Sequence, residues 1–384
     1  MDTAQTPRTP QELAEALHSA SSAGRTIQLE GAGTKRLMAG PVESDADRIS
    51  TTALTRVLDY EPADLTISVE AGLPWCEFTR LLAANRQMVP LDPPFSAATV
   101  GGVLAANSSG PRRRLYGTSR DMVIGMRFAT LEGKLVDSGG MVVKNVAGLD
   151  MAKLMIGSFG TLAAIASVNF KLQPMPETER SFLLPFPSSA QAIAARNSLL
   201  AGQLQPAAVD LLNPAAGAII GHSAWLLAVR AGGNRAAVDR YEREFAPIEG
   251  GVAYEDELQQ RLWRQIGEFT PEFLAAHPRG AVVRASCTLK EVGAVVESFP
   301  GPALARAGSG VCYGYFDDAD DAGAWLSVTA GQGWKAVIEF SPGEWKRNAD
   351  LWPAPGADLE LMRRVKNLFD PGNLLNRGRL YGRI

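Results

Sequence analysis

An α+β protein of two lobes is the fold class this sequence predicts, and three observations predict it. The chain has 384 residues, too many for one ordinary domain. Glycines and small hydroxyl residues crowd the loops between Gly31 and Gly160. Past Gln173-Pro174-Met175-Pro176, a boundary signal, that character fades and strand and helix patterns alternate. The expected division is 1–174, 175–340 and a closing segment 341–384.

Bulk properties exclude several classes. Apolar residues make up 46% and charged residues 21%, with seven tryptophans, so a packed core is expected and disorder is not. A net charge of −3 gives no basic stripe for nucleic acid. No apolar stretch reaches the roughly 18 residues of a membrane span, and Met1 to Pro10 lacks an apolar signal region. The cytoplasm is the expected compartment. Cys76, Cys287 and Cys312 form no CxxC pair and are expected as buried small apolar residues. They fall short of the roughly four thiolates an iron–sulfur cluster needs. Only three histidines occur, His18, His222 and His277, and each is isolated from acidic clusters, so structural roles are expected.

Thr9-Pro10-Gln11-Glu12 supplies an N-cap, a first-turn proline and a capping-box glutamate. Leu13 and Leu17 follow on one face, and Gly24 stops the helix. Residues 26–30 alternate as a strand and run into Gly31-Ala32-Gly33-Thr34-Lys35. A strand at 65–69, a helix opened by Leu73-Pro74, and a hairpin over 123–138 turning at Glu132-Gly133 come next. In the second lobe, strands are expected near 207–212, 224–230, 281–286, 311–316 and 335–340. Helices over 234–246, 288–298 and 320–329 would cover one face of an antiparallel sheet. An amphipathic helix over 358–369 ends at Asp370-Pro371-Gly372-Asn373.

The loop after the first strand fails as a dinucleotide fingerprint. Arg36 holds the sixth position, and Gly40-Pro41 blocks the long helix that should follow. Alone, it reads as a tight turn or as a nest of amides for an anion. Its neighbours shift the balance: Pro93-Pro94, Thr99-Val100-Gly101-Gly102, Asn107, Gly110, Thr118 and Asn145 share one span. Bare backbone suits a diphosphate, which side chains larger than Ser or Thr would hold away.

The ordered series Asp92-Pro93-Pro94, Thr99-Val100-Gly101-Gly102, Gly110-Pro111-Arg112-Arg113 and Gly117-Thr118-Ser119-Arg120-Asp121 resembles the vanillyl-alcohol-oxidase/p-cresol-methylhydroxylase-type FAD-binding family. Lys144-Asn145-Val146-Ala147-Gly148-Leu149-Asp150, Gly157-Ser158-Phe159-Gly160-Thr161 and the tail Phe369 to Arg379 extend the resemblance over nearly the whole chain. Within the family it is most similar to FAD-binding subunits of bacterial glycolate dehydrogenase (glycolate oxidase) complexes. The resemblance implies an FAD lobe, an α+β cap, and a C-terminal segment that returns to the FAD lobe. It places Gly31, Ala32, Gly33 and Thr34, with Thr99, Val100, Gly101 and Gly102, at the diphosphate. It places Pro93, Pro94, Gly110, Gly117, Thr118, Asp121, Gly148, Gly160 and Ile165 along the adenosine and ring portions, and Asn376 near the flavin. The family's usual tail has proline after that asparagine; Arg377 stands here.

Relatives that bind flavin covalently use a histidine in these loops. None lies between His18 and His222, so non-covalent FAD is expected. The His-rich H-x-G-D-G-N-x-H motif of the catalytic flavoproteins is absent as well. The resemblance therefore implies an accessory FAD-bearing subunit. It would work with a catalytic flavoprotein and an iron–sulfur subunit that serves the membrane quinone pool, and it would reach the inner membrane only through that complex. A self-sufficient FAD enzyme for a small 2-hydroxy acid and a flavin-free interaction subunit are the alternatives. No catalytic residue and no metal ligand is assigned. Arg112-Arg113-Arg114 reads as a solvated face, a docking patch for an acidic partner or an attraction for an anionic substrate, and Arg120-Asp121 as an ion pair that fixes its loop.

Overall fold

The computed structural model describes residues 4–141 and 150–384, and these form two compact units. The first contains residues up to 109, 118–175 and 354–384; the second contains 110–117 and 176–353. This corrects the expected division at two places. The Gly110–Gly117 segment groups with the second unit, and the closing segment starts at 354 rather than 341. One reason is local: Ile338 N donates to Leu351 O at 2.8 Å, which keeps the chain after the last strand in the second unit.

In the first unit, helix Pro10–Ser22 forms as its caps dictate. The Thr9 hydroxyl accepts from Glu12 N at 3.1 Å, and Glu12 reaches back to Arg8 N at 2.7 Å, one residue beyond the usual box. Leu13 and Leu17 are fully buried, and Gly24 leaves the helix at φ +65°. They pack with Ile27 of β1 (Ile27–Glu30), Ile49 of β2 (Asp47–Ser50) and Leu375 in one core. Strands β1 and β2 run parallel. The C-terminal segment returns beside β1: Ile27 N donates to Leu374 O at 2.8 Å, and Asn376 N to Ile27 O at 2.9 Å.

A five-stranded antiparallel sheet completes this unit. Its strands are β3 (Val57–Glu61), β4 (Thr66–Glu70), β6 (Val123–Ala129), β7 (Leu135–Gly139) and β8 (Ala164–Lys171), in the order β3-β4-β8-β6-β7. A short pair, β5 (Gln87–Met88) and β9 (Gln173–Pro174), ties the end of the sheet. Helix Trp75–Ala83 packs Trp75 and Phe78 edge-on, with Phe170 of β8 beside Phe78 at 5.3 Å.

The second unit is one eight-stranded antiparallel sheet. Its strands are β10 (Thr178–Phe186), β11 (Ala208–Leu212), β12 (Trp225–Gly233), β13 (Val252–Tyr254), β14 (Ala281–Ser286), β15 (Ala303–Arg306), β16 (Val311–Phe316) and β17 (Lys335–Phe340). The order is β13-β10-β12-β11-β15-β16-β14-β17. Helices Ser189–Ala201, Arg235–Phe245, Val292–Ser298 and Ala319–Thr329 cover one face over an apolar core. Helices were expected on that face alone. Instead, Asp256–Gly267 and Phe269–Ala276 pack on the other face, where Trp263 Nε1 donates to Ser181 Oγ at 2.7 Å. Ser181 alternates with the core residue Phe182 and therefore points away from the core.

The Arg112–Arg114 run is not a solvated face. All three residues are half-buried, and Arg114 donates to Pro206 O at 2.8 Å and Gln205 Oε1 at 3.2 Å.

Candidate cofactor site

An open cleft lies in the first unit, between the end of β1, the start of helix Val100–Ala105, the Phe159–Gly160 turn and the C-terminal return. Its floor is Gly31-Ala32-Gly33-Thr34. Among the described residues, none of these four amides donates to a protein acceptor. Four successive unclaimed N–H groups on a cleft wall are an anion nest in the physical sense. Glycine is required at Gly31, where a Cβ would sit 2.2 Å from Thr99 Oγ1. Gly33 adopts φ +70°, which glycine takes without strain.

The second glycine pair works differently from the expectation. Thr99 caps helix Val100–Ala105, its hydroxyl accepting from Gly102 N at 3.2 Å. Val100 N donates to Leu73 O and Gly101 N to Ala71 O, at 2.9 and 2.7 Å. These three amides are spent within the protein and do not form a phosphate nest. The glycine at 101 serves packing, since a Cβ there would lie 2.8 Å from Ala71 Cβ. Gly101→Val is therefore expected to destabilise the fold by about 1–3 kcal/mol through overpacking. A thermal melt showing wild-type stability would remove this account.

Asn376 acts as a staple. Its Oδ1 accepts from Leu29 N at 2.7 Å, and its Nδ2 donates to Leu29 O and Phe159 O at 3.0 and 2.7 Å. It thereby locks β1 to the turn at Gly160, whose own φ is +68°. Arg377 replaces the family's usual proline without loss of order: its guanidinium pairs with Glu43 across the cleft mouth.

Charge favours an anion. Lys35, Arg36, Arg377 and Arg379 line the cleft against Glu30 and Glu43, an excess of two positive charges. Arg36 and Arg48 both pair with Glu30, at 2.7 and 2.6 Å. Burial opposes the Glu30 charge, but these two arginines outweigh it and hold the carboxyl below its ordinary value of 4.5. A depressed folded value contributes stability that is complete above pH 4.5 and lost as pH falls through the folded value. Acid release of cofactor, followed by flavin fluorescence, is accordingly expected below pH 4.5, and Glu30→Gln should flatten that part of the profile. An unchanged acid limb in Glu30→Gln would exclude this pair as its cause. Arg379 is buried, and desolvation pushes it down to about 10. Its guanidinium donates to the carbonyls of Lys35, Arg36 and Gly40, bracing the loop that follows the nest.

Of the residues read from the sequence, Gly31, Ala32, Gly33, Thr34, Thr99, Gly101, Gly102, Gly160, Ile165 and Asn376 line this one cleft. Pro93, Pro94, Val100, Gly110, Gly117, Thr118 and Asp121 do not. Gly110 and Gly117 bracket the segment grouped with the second unit. Asp121 is not ion-paired with Arg120 as expected; its carboxylate accepts from Thr118 N and Oγ1 at 2.7 and 3.1 Å in a capping box, while Arg120 donates to Lys153 O. Gly148 and Lys144 lie outside the described residues. Arg36, Glu43, Arg377 and Arg379 went unassigned; the unusual Arg-x-Arg in the tail was the available signal.

Residues 2–139 match the FAD binding domain family, and residues 352–380 match the C-terminal domain of FAD linked oxidases. Both matches include residues that build the cleft. Over these residues the chain is similar to FAD-linked oxidases. Its cofactor is FAD. Over 173 residues it is 34% identical to the glycolate oxidase subunit GlcE of Escherichia coli K12, covering 44% of this chain and 49% of that protein. Over 209 residues it is 29% identical to the glycolate oxidase subunit GlcD of Bacillus subtilis 168, covering 54% and 44% respectively. A D-lactate dehydrogenase of Anaerostipes hadrus is 30% identical over 164 residues, 43% of this chain and 34% of that one. The chain thus spans about half or less of these relatives' lengths. Among solved structures, an alkyldihydroxyacetonephosphate synthase shares the fold, with TM-score 0.70 at 17% identity, covering 97% of this chain and 76% of that one. No helix among the described residues is long and apolar enough to cross a membrane, and no group of metal-binding side chains occurs among them.

Proposed function

We propose that this chain is the FAD-binding subunit of a 2-hydroxy-acid dehydrogenase complex that oxidises glycolate to glyoxylate. It works with a catalytic flavoprotein and an iron–sulfur subunit. The observation that carries the reading is the row of unclaimed amides at Gly31–Thr34 inside a cleft with excess positive charge. Those amides would donate to the diphosphate, and Leu29, Ala163 and Ile165 would supply apolar wall. Asn376 holds the Phe159–Gly160 turn in place, and Thr118 and Asp121 cap the short helix Ser119–Met122. When bound, FAD supplies a two-electron acceptor for the hydroxy acid's hydride equivalent.

The division of labour follows from what the cleft lacks. Among the described residues, none that lines it is a histidine, tyrosine or cysteine, so these offer neither a covalent anchor for the flavin nor one of these groups to take a hydroxyl proton. Its two carboxylates are held in ion pairs, Glu30 with Arg36 and Glu43 with Arg377. Non-covalent FAD and an accessory role fit this lining, and the relatives named as glycolate oxidase subunits support a multi-subunit complex. The similarity to D-lactate dehydrogenase favours a second reading, a self-sufficient oxidoreductase for a small 2-hydroxy acid.

Anaerobic mixing separates the two. The purified chain should be yellow and should keep its flavin absorbance in glycolate or D-lactate, bleaching only when the catalytic flavoprotein is added. Rapid bleaching of the chain alone would establish the second reading. A folded, colourless chain that takes up no FAD would leave an interaction subunit.

A further inference from the structure

Two cysteines distant in sequence meet at one end of the sheet in the second unit. Cys312 lies in β16 opposite Ala285, and Cys287 follows the end of β14, its N donating to Gly310 O at 2.9 Å. Their sulfurs are 3.9 Å apart and unbonded. Burial as inert apolar residues was the expectation for all three cysteines, and it holds for Cys312 alone. Cys76 is exposed and Cys287 half-exposed beside the surface loop Thr288–Lys290.

The environment of this pair is unusual. Arg196, on helix Ser189–Ala201, is 0% exposed. Its two terminal nitrogens donate to Ala307 O and Leu289 O, both at 2.8 Å, while its Nε has no partner. Among the described residues, no carboxylate pairs with it. Burial pulls the Arg196 guanidinium below its ordinary value, and the Cys287 and Cys312 sulfurs oppose that pull. A buried guanidinium without a counter-charge is costly, and a nearby thiolate offsets that cost. The two thiols are also unequal. Hydrogen bonding from Cys312 and the Arg196 charge lower Cys287 despite burial and Glu291, whereas Cys312 is driven up by its neighbour and by burial.

We propose that Arg196, Cys287 and Cys312 form a thiol redox site that reacts with hydroperoxides and closes to a Cys287–Cys312 disulfide. The accessible Cys287 sulfur attacks the terminal peroxide oxygen. The O–O bond breaks, the alkoxide leaves and takes a proton as the alcohol, and Cys287 becomes a sulfenic acid. The Cys312 sulfur then attacks Cys287, the S–O bond breaks, and water leaves with the Cys312 proton. The dithiol loses two electrons and the peroxide gains them. Closure draws the sulfurs from 3.9 Å to about 2 Å. Arg196 stabilises the attacking thiolate and touches neither peroxide oxygen, so it is a positioning residue.

The test uses the FAD-loaded full chain and hydrogen peroxide. Thiol titration after unfolding should fall from three to one, with Cys76 the survivor. Mass spectrometry should show the Cys287 and Cys312 peptides joined and two hydrogens lighter. In Cys312→Ser, dimedone should trap a sulfenic acid on Cys287; in Cys287→Ser, Cys312 should stay reduced. Arg196→Gln should slow Cys287 oxidation about tenfold at neutral pH, and Arg196→Lys should restore most of it. Should Arg196→Gln not fold, the wild-type titration and the Cys312→Ser trapping decide alone. Oxidation of Cys76 first, with Cys287 and Cys312 both still reduced, would overturn the proposal, as would a folded Cys312→Ser that traps nothing.

Discussion

Asp370→Ala is expected to destabilise the first unit by about 3–5 kcal/mol. The cause lies one helical turn away. Lys366 is 4% exposed, and its ammonium donates to Thr161 O, Leu375 O and Asp370 Oδ2, at 2.8, 2.9 and 2.6 Å. Burial pulls Lys366 below the ordinary lysine value, and the Asp370 charge opposes that pull. Removing the carboxylate leaves the ammonium buried with only neutral carbonyls. It also frees Leu374 N and Leu375 N, which both donate to Asp370. Lys366→Met should cost less, because Asp370 keeps those two amides. Urea unfolding followed by circular dichroism measures both. Equal losses for the two variants would show that the pair is not asymmetric in this way.

Gly31→Val should weaken FAD binding by at least about 100-fold, or about 2.7 kcal/mol. The added Cβ would lie 2.2 Å from Thr99 Oγ1 and 3.2 Å from both other Thr99 side-chain carbons. Thr99 cannot swing away freely, because its hydroxyl caps the next helix at Gly102 N. The clash must therefore move the nest, and with it the amides that would face the diphosphate. Gly140→Ala, whose Cβ would meet nothing within 4 Å among the described residues, is the control and should retain affinity. Titration of apoprotein with FAD, read by flavin fluorescence quenching, gives both constants. Wild-type affinity in a folded Gly31→Val protein would move the diphosphate elsewhere.

Much of the fold was legible because local signals agreed with it. Thr9-Pro10, Glu132-Gly133 and Asp370-Pro371-Gly372 mark element ends that the structure places within a residue or two. Strand β10 and the helix after it were missed for a physical reason. Ser189–Ala201 is mostly alanine and serine and shows no clear apolar stripe, and one of its buried residues is Arg196. Strand β15, only four residues long, offers too little alternation to read. At the site, Gly31–Thr34 alone read as a tight turn or a nest, and it was the further glycine loops in the same span that pointed to a ligand. The Thr99–Gly102 amides could not be assigned, since their acceptors at Ala71 and Leu73 sit across a turn that no spacing rule connects. Lys366 was hidden as well: on a helix read by its leucines, a lysine counts as surface.

The return of Leu374–Asn376 alongside β1 sets an order on the making of this protein. The cleft is begun by residue 27 and finished only by residues 376–379. A ribosome must therefore translate residues 376–379 before the pocket has its last wall. A chain cut short before residue 376 lacks the last wall of this cleft.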